Sequence, residues 1–218
     1  MIILVANEKG GTGKTTLTVN LAVRYLNHGQ TVLLVDADPQ QSASAWSELR
    51  QESGIGPCPV TVSKTGASLD KDVRALSPKF DMTLIDTGGR DSVEMRKGML
   101  IADLVIVPVQ ASQFDVWVLE KMAKLIEDAQ GFNEGLKAAL VVNRAPANPA
   151  ITEEEDLRNF LNELPAMTPL KTSIKERIAW RKAARQGLAI GEIQPKDPRA
   201  ESELEAVFQE IMARLNTH

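Results

Sequence analysis

The feature that most constrains the fold is a repeated alternation, in which a short apolar run is followed by a turn and then by a helix-like stretch. The runs are apolar on both faces, which is typical of parallel strands covered by helices on each side of a sheet. We therefore predict an α/β fold, a doubly wound and mostly parallel sheet with helices on both faces, in a single domain over residues 1–218. The predicted buried strands cover residues 2–6, 31–36, 82–86, 104–109 and 138–143.

Helix signals fill the stretches between these strands. Asp91 with Glu94, and Thr152 with Glu155, have the spacing of a capping box and predict two helix starts. Residues 60–63 are predicted as a short edge strand, while the pattern over 51–70 is otherwise indistinct. The remaining predicted helices cover residues 14–28, 42–52, 114–130, 175–186 and 200–215.

Composition excludes several classes of protein. The 25 Lys and Arg residues against 29 Asp and Glu give a net charge of −4, which argues against a uniformly basic nucleic-acid coat. The single cysteine, Cys58, cannot form an internal disulfide or a cysteine-based metal or iron–sulfur site within one chain. No apolar run approaches the roughly 18 residues that span a bilayer, and the first residues lack a basic signal-peptide region. We expect a cytoplasmic location.

A glycine-rich segment, Lys-Gly-Gly-Thr-Gly-Lys-Thr, lies between the first predicted strand and the first predicted helix. Glycines let the backbone approach phosphates closely, and a helix N-terminus adds N–H donors and the positive end of its dipole. In such a P-loop Lys14 reaches the β- and γ-phosphates, and the Thr15 hydroxyl binds Mg²⁺. We predict that ATP and Mg²⁺ bind here. The predicted nucleotide-binding residues of the loop are Lys9, Gly10, Gly11, Thr12, Gly13, Lys14, Thr15 and Thr16.

Three acids lie where predicted strands end, at the edge of an open α/β sheet where ligands bind. Asp36 and Asp38 follow the second strand, and Asp86 ends a later one. An NTPase needs an acid near the metal and a polar group that orients the attacking water. Isolated acids at such positions are also common helix caps or turn formers.

The P-loop departs from the usual pattern, because Glu8 stands where a glycine is common and Lys9 follows it. This sequence resembles the deviant Walker motif of the ParA/MinD family of ATPases, and it is most similar to the short ParA-type proteins that lack an N-terminal helix-turn-helix. The resemblance implies slow hydrolysis of ATP and a catalytic Lys9 that crosses a dimer interface to the partner's nucleotide. Lys14 is the second catalytic lysine that it implies.

The resemblance also assigns the acids. Asp-x-Asp-Pro-Gln resembles the family's switch I, in which Asp38 positions or activates water while Asp36 lies near the metal; with Thr15 and Asp86 this gives the implied Mg²⁺ site. The segment 86–89 resembles Walker B and switch II. Asn143 is implied to hydrogen-bond adenine, with Arg144 nearby. A strand-end turn residue is the alternative for Asn143.

A basic stretch lies near the end of the chain. Residues 171–185 contain six basic residues and one acid, a local charge of +5. On a helix Arg177, Arg181 and Arg185 share one face, which can follow a DNA backbone. ParA-type proteins bind DNA non-specifically as ATP-bound dimers, and a solvated basic face is the alternative. The predicted DNA-binding residues are Lys175, Arg177, Arg181, Lys182 and Arg185.

The expected function is therefore ATP-switched partition of a plasmid or chromosome, or positioning of a large cytosolic assembly such as carboxysomes or chemoreceptor clusters. Implied partners are DNA of the nucleoid, a second copy of the chain and a ParB-like or other adaptor that stimulates hydrolysis, with no membrane. A MinD-like membrane-surface ATPase is disfavoured by the acidic start of the last helix at 201–205. A metabolic P-loop ligase is disfavoured because no acid/base cluster lies outside the nucleotide site.

Overall fold

In a computed structural model, the chain is described over residues 1–113, 115–146, 153–161 and 163–216. These residues form a seven-stranded sheet in the order β3-β2-β4-β1-β5-β6-β7, and every neighbouring pair is parallel. The predicted fold class and the edge position of β3 are confirmed. The strands are β1 (Ile2–Val5), β2 (Val32–Ala37), β3 (Val60–Ser63), β4 (Met82–Thr87), β5 (Leu104–Val109), β6 (Lys137–Val142) and β7 (Thr168–Pro169).

Helices cover both faces of the sheet, and each face has its own core. Ile3 and Val5 of β1 point into one core, whereas Leu4 points into the other, because side chains alternate along a strand. The helices are α1 (Lys14–Asn27), α2 (Ser42–Ser53), α3 (Leu69–Leu76), α4 (Val93–Met99), α5 (Val116–Gln130), α6 (Glu153–Leu161), α7 (Ile178–Ala184) and α8 (Pro198–Asn216). Residues of α1, α2, α7 and α8 pack into the first core, and those of α3, α4, α5 and α6 into the second.

The order of the strands fixes where a ligand can bind. The chain moves from β1 to β2 in one direction and from β4 to β5 in the other, so β1 lies between β4 and β5. Such a reversal leaves a crevice at the carboxyl ends of the central strands. The P-loop follows β1 and therefore lies in that crevice.

The structure corrects one predicted cap and adds one helix. Ser92, and not Asp91, caps α4, since its hydroxyl accepts the N–H of Met95 at 3.2 Å. Asp91 instead forms an ion pair with Arg96 at 2.6 Å. Helix α3 lies between β3 and β4, where the sequence carried no firm helix signal. The Thr152 part of the second capping box, and Phe114 at the predicted start of α5, lie outside the described residues.

The predicted helix over 175–186 is wrong at both ends. Helix α7 begins at Ile178 after an extended Arg177, and Arg185 is its C-terminal cap. Lys175 is extended because it pairs with Ala145 in a parallel bridge, and the Glu176 N–H donates to the Ala145 carbonyl at 2.9 Å. The one-face arrangement predicted for the three arginines therefore does not form.

Among the residues that the structure describes, no helix has both the length and the apolarity needed to cross a bilayer.

The packing of α4 on β1 leads to a test. A Cβ atom on Gly98 would lie 2.7 Å from Cδ1 of Leu4, whose side chain is fully buried. We expect Gly98→Val to lower the free energy of unfolding by about 1–3 kcal/mol through overpacking. Urea denaturation measures it. The matched control is Gly135→Val at an exposed site whose nearest atom is 3.9 Å away. Equal stability of the two variants would contradict this packing.

Candidate nucleotide site

The P-loop is held open by side chains from the ends of neighbouring strands. Gly11 and Gly13 have φ values of 77° and 89°, which favour glycine, and Gly13 caps the N-terminus of α1. The Asn143 amide donates to the Thr12 carbonyl at 2.7 Å, and the Gln110 amide donates to the Gly11 carbonyl at 2.9 Å. These bonds hold the loop around the N-terminus of α1, where unpaired N–H groups favour anions.

Lys14 supplies a largely buried positive charge to this loop. Its side chain is largely buried, and Nζ donates to the Lys9 carbonyl at 3.1 Å. Burial lowers the pKa of Lys14, while the negative charges of Asp86 and Asp38 oppose that shift. A desolvated ammonium group at a helix N-terminus fits the phosphates of a nucleotide.

Asp86 lies at the end of β4 beside the first turn of α1. Its carboxylate accepts hydrogen bonds from the Thr15 hydroxyl at 2.6 Å and the Thr18 hydroxyl at 3.2 Å. Burial raises the pKa of Asp86 to about 7, and the neighbouring charge of Asp36 adds to the shift. Because Thr15 and Asp86 are already adjacent, their oxygens fit a Mg²⁺ ion that is also bound to phosphates.

Asp36 is placed differently from Asp86. It is fully buried, and its two carboxylate oxygens accept the N–H groups of Asp38 at 3.2 Å and Ser44 at 2.7 Å. Asp36 therefore organises the loop after β2. No group of three or more Asp, Glu, His or Cys side chains among the described residues could hold a metal ion.

The loop after β2 and the segment 88–89 after β4 lie next to each other beside the P-loop. Asp38 lies in the Asp38 loop (residues 38–41), and its Oδ1 accepts the Gln40 N–H at 2.9 Å. A Cβ atom on Gly88 would lie 3.2 Å from that oxygen, and one on Gly89 would lie 2.8 Å from Cα of Gly10. The loops border a cleft of about 960 Å³ that also contains Lys14, Thr15 and Thr16.

Arg144 connects the P-loop to the segment before α7. It has a φ of 54°, and its guanidinium donates to the Gly11 carbonyl at 3.0 Å and to Glu176 at 2.5 Å. Asn143 and Arg144 both line the cleft. Their adenine contact stays a prediction, since the Asn143 amide is seen on the P-loop.

Sequence reasoning missed Gln110 and Glu176 as residues that hold the site. Gln110 directly follows β5, so its strand-end position was the available signal. Glu176 gave no signal, because its partner Arg144 is 32 residues away.

Of the five predicted DNA-binding cations, two form close ion pairs and three are exposed. Lys175 pairs with Glu154 at 2.8 Å, and Arg177 pairs with Glu203. Arg181 is exposed and lies 3.9 Å from Glu176. Lys182 and Arg185 are exposed and have no ion pair with the described residues.

The sequence matches the family of CobQ/CobB/MinD/ParA nucleotide-binding domains over residues 3–190. The chain belongs to this family. It is 28% identical over 211 residues to the maintenance of carboxysome distribution protein A of Halothiobacillus neapolitanus, covering 96% of this chain and 95% of that protein. It is 27% identical over 246 residues to the chromosome-partitioning ATPase Soj of Thermus thermophilus, covering 98% and 96%.

Solved structures show the same fold. The apo McdA of Cyanothece superposes with a TM-score of 0.77 at 19% identity, covering 96% of this chain and 98% of that one. The ParA/MinD resemblance and the ATPase activity that it implied are thus confirmed, and the chain is a nucleotide-binding ATPase.

The left-handed glycine beside Asn143 provides a test of the site. In Gly13→Ala the new Cβ would lie 2.2 Å from Nδ2 of Asn143 at a φ of 89°. We expect the free energy of unfolding to fall by about 1–3 kcal/mol and ADP affinity to fall at least tenfold, because strain displaces the Asn143–Thr12 bond. Urea denaturation and calorimetry measure the two effects.

Gly10→Ala is the matched control for stability. Its Cβ meets nothing within 4 Å and its φ is not in the left-handed region. Its free energy of unfolding should stay within about 0.5 kcal/mol of wild type. A Gly13→Ala protein as stable as Gly10→Ala would contradict the described loop.

Proposed function

We propose that this chain is a ParA-type ATPase that consists of a single domain over residues 1–218. Two copies form a sandwich dimer when ATP binds, and the dimer binds DNA non-specifically and positions a cargo. The observation that carries the proposal is the placement of Lys9, whose carbonyl binds the Lys14 ammonium. The Lys9 N–H is fixed at 2.9 Å by Oδ1 of Asn7. This holds the family's signature lysine at the start of the phosphate-binding loop.

The chain's own groups divide the work of hydrolysis. Lys14 and the N-terminus of α1 would bind the phosphates. Thr15 and Asp86 would hold the Mg²⁺ ion, and Asp36 fixes the loop that follows β2. Bound Mg²⁺ would neutralise charge that develops on the phosphate oxygens. Asp38, adjacent to Gly88 in the cleft, would orient the attacking water.

The dimer face is proposed from the position of the glycines. A Cβ atom on Gly89 would lie 2.8 Å from Cα of Gly10, the residue after Lys9, so a change in the segment 88–89 on loss of the γ-phosphate would act on the signature lysine. In a sandwich dimer Lys9 would reach the partner's nucleotide. Loss of ATP would then weaken the interface and, with it, DNA binding.

The DNA surface proposed here is narrower than the predicted one. Arg181, Lys182 and Arg185 are exposed and can contact phosphates, whereas Lys175 and Arg177 are neutralised by Glu154 and Glu203. Two copies of this small surface in a dimer would bind DNA much more strongly than one. This makes DNA affinity depend on ATP without any change within α7.

The cargo is proposed from the relatives. They include a protein that maintains carboxysome distribution and a chromosome-partitioning ATPase. We propose that a ParB-like or other adaptor links this chain to a plasmid, a chromosome or a comparable cytosolic assembly and stimulates hydrolysis. The protein would be cytoplasmic and associated with the nucleoid.

The test is binding of random-sequence duplex DNA with ATP, with ADP and without nucleotide. We expect ATP to raise affinity at least tenfold, and Lys9→Ala to abolish that gain without loss of ATP binding, because dimer closure is lost. Lys79→Ala, at an exposed site away from the cleft, is the matched control. If the DNA affinity of the wild type did not depend on the nucleotide, the proposal would be overturned and a metabolic P-loop ligase would be favoured.

A further inference from the structure

Arg50, at the far end of α2, is buried and bonded on every side. Its side chain has 0% exposure, and Nε donates to the Pro57 carbonyl at 2.8 Å. The two terminal nitrogens donate to Glu192 at 2.7 and 2.8 Å, and one also donates to the Gly187 carbonyl at 3.2 Å. A fully bonded guanidinium fork fixes both distance and orientation. We call this contact the Arg50–Glu192 ion pair.

The backbones on either side of this ion pair touch. Gly187 has a φ of 66°, and a Cβ atom on it would lie 2.4 Å from the Arg50 backbone nitrogen. The Trp46 indole donates to the Leu188 carbonyl at 3.4 Å, and the Arg50 guanidinium lies 5.3 Å from the Trp46 ring. Helix α2 is therefore joined to the segment 187–192 over two turns.

The other end of α2 carries the Asp38 loop. The Asp38 carbonyl accepts the Gln41 N–H at 2.9 Å, and the Gln41 carbonyl accepts the Ala45 N–H at 3.0 Å. Asp36 accepts the Ser44 N–H in the first turn. Arg50 lies about 12 Å along the helix axis from Ser42. A shift of the Arg50 end is thus transmitted to Asp38 by a rigid helix.

The segment 187–192 also contacts the helix that follows the P-loop. Its Ile190 N–H donates to Oδ1 of Asn20 at 2.8 Å, and the Asn20 amide donates to the Thr16 carbonyl at 2.7 Å. The same segment directly follows α7, whose Arg181 lines the nucleotide cleft. One short segment thus sets the spacing between α1, α2 and α7.

We propose that the Arg50–Glu192 ion pair positions Asp38 for hydrolysis and couples the Asp38 loop to the basic helix α7. Buried ion pairs add little net stability but accept one geometry, whereas an apolar contact tolerates sliding. Arg50 and Glu192 are positioning residues here, since neither lines the cleft. The proposal rests on the role of Asp38 proposed above.

The test replaces the ion pair by apolar groups of similar size, Arg50→Met with Glu192→Leu, in the full chain. We expect a folded protein, because such replacements often preserve stability. ATP affinity should stay within about threefold of wild type, while kcat falls at least tenfold, since an error on the order of 1 Å in a positioned group costs much of its effect. The ATP-dependent gain in DNA binding should also fall.

Glu192→Gln is the second variant, in case the double variant does not fold. It keeps one acceptor oxygen for Arg50, and we expect a smaller fall of kcat in the same direction. The matched control is Arg24→Met with Glu205→Leu, which removes the 3.0 Å ion pair between α1 and α8 without touching α2. That control should keep kcat within about twofold of wild type.

The outcomes separate this proposal from the one on which it rests. Asp38→Ala at the wild-type rate would overturn the role of Asp38 itself. A slow Asp38→Ala together with a folded Arg50→Met/Glu192→Leu protein at the wild-type kcat would overturn positioning alone. A kcat that falls only in proportion to the unfolded fraction would also overturn it, because that result indicates a structural role.

Discussion

The carboxylate of Asp86, buried at the carboxyl end of β4, is the group around which the site is arranged. Desolvation raises its pKa to about 7, and its hydrogen bonds come from Thr15 and Thr18 in the first two turns of α1. This unfavourable burial persists because the reversal of strand order brings β4 and the P-loop together. A bound phosphate would compensate the charge of Lys14, and Mg²⁺ would compensate the charges of Asp86 and Asp36. The unliganded site therefore favours binding of an anion together with a cation.

Strands β1 to β6 and the P-loop could be predicted from the sequence because their signals are local, whereas the two-residue strand β7 (Thr168–Pro169) was missed. Strands that are buried on both faces leave continuous apolar runs, and a P-loop joins a strand to a helix over a few residues. The start of α7 could not be predicted, because Lys175 is held extended by Ala145, 30 residues earlier in the chain. The N-terminal cap of α4 was assigned to Asp91 although the adjacent Ser92 caps the helix. Asp91 forms an ion pair with Arg96 instead.

The charge pattern of the sequence predicted poorly which basic residues are available to a ligand at the surface. The +5 stretch over 171–185 suggested a phosphate-binding face. In the fold, α6 and α8 bring Glu154 and Glu203 to Lys175 and Arg177, and these partners are 21 and 26 residues distant. Only spatial neighbours decide which cations stay available to a ligand. Arg50 likewise gave no signal, since Glu192 lies 142 residues later.

The central claim is that ATP, and not ADP, brings two copies of the chain together through the P-loop face. The most direct measurement is the mass in solution by sedimentation equilibrium, with a non-hydrolysable ATP analogue and Mg²⁺ or with ADP and Mg²⁺. The account predicts twice the 23.8 kDa chain mass with the analogue and the single-chain mass with ADP. The same mass in both nucleotide states, at concentrations that saturate the site, would contradict it.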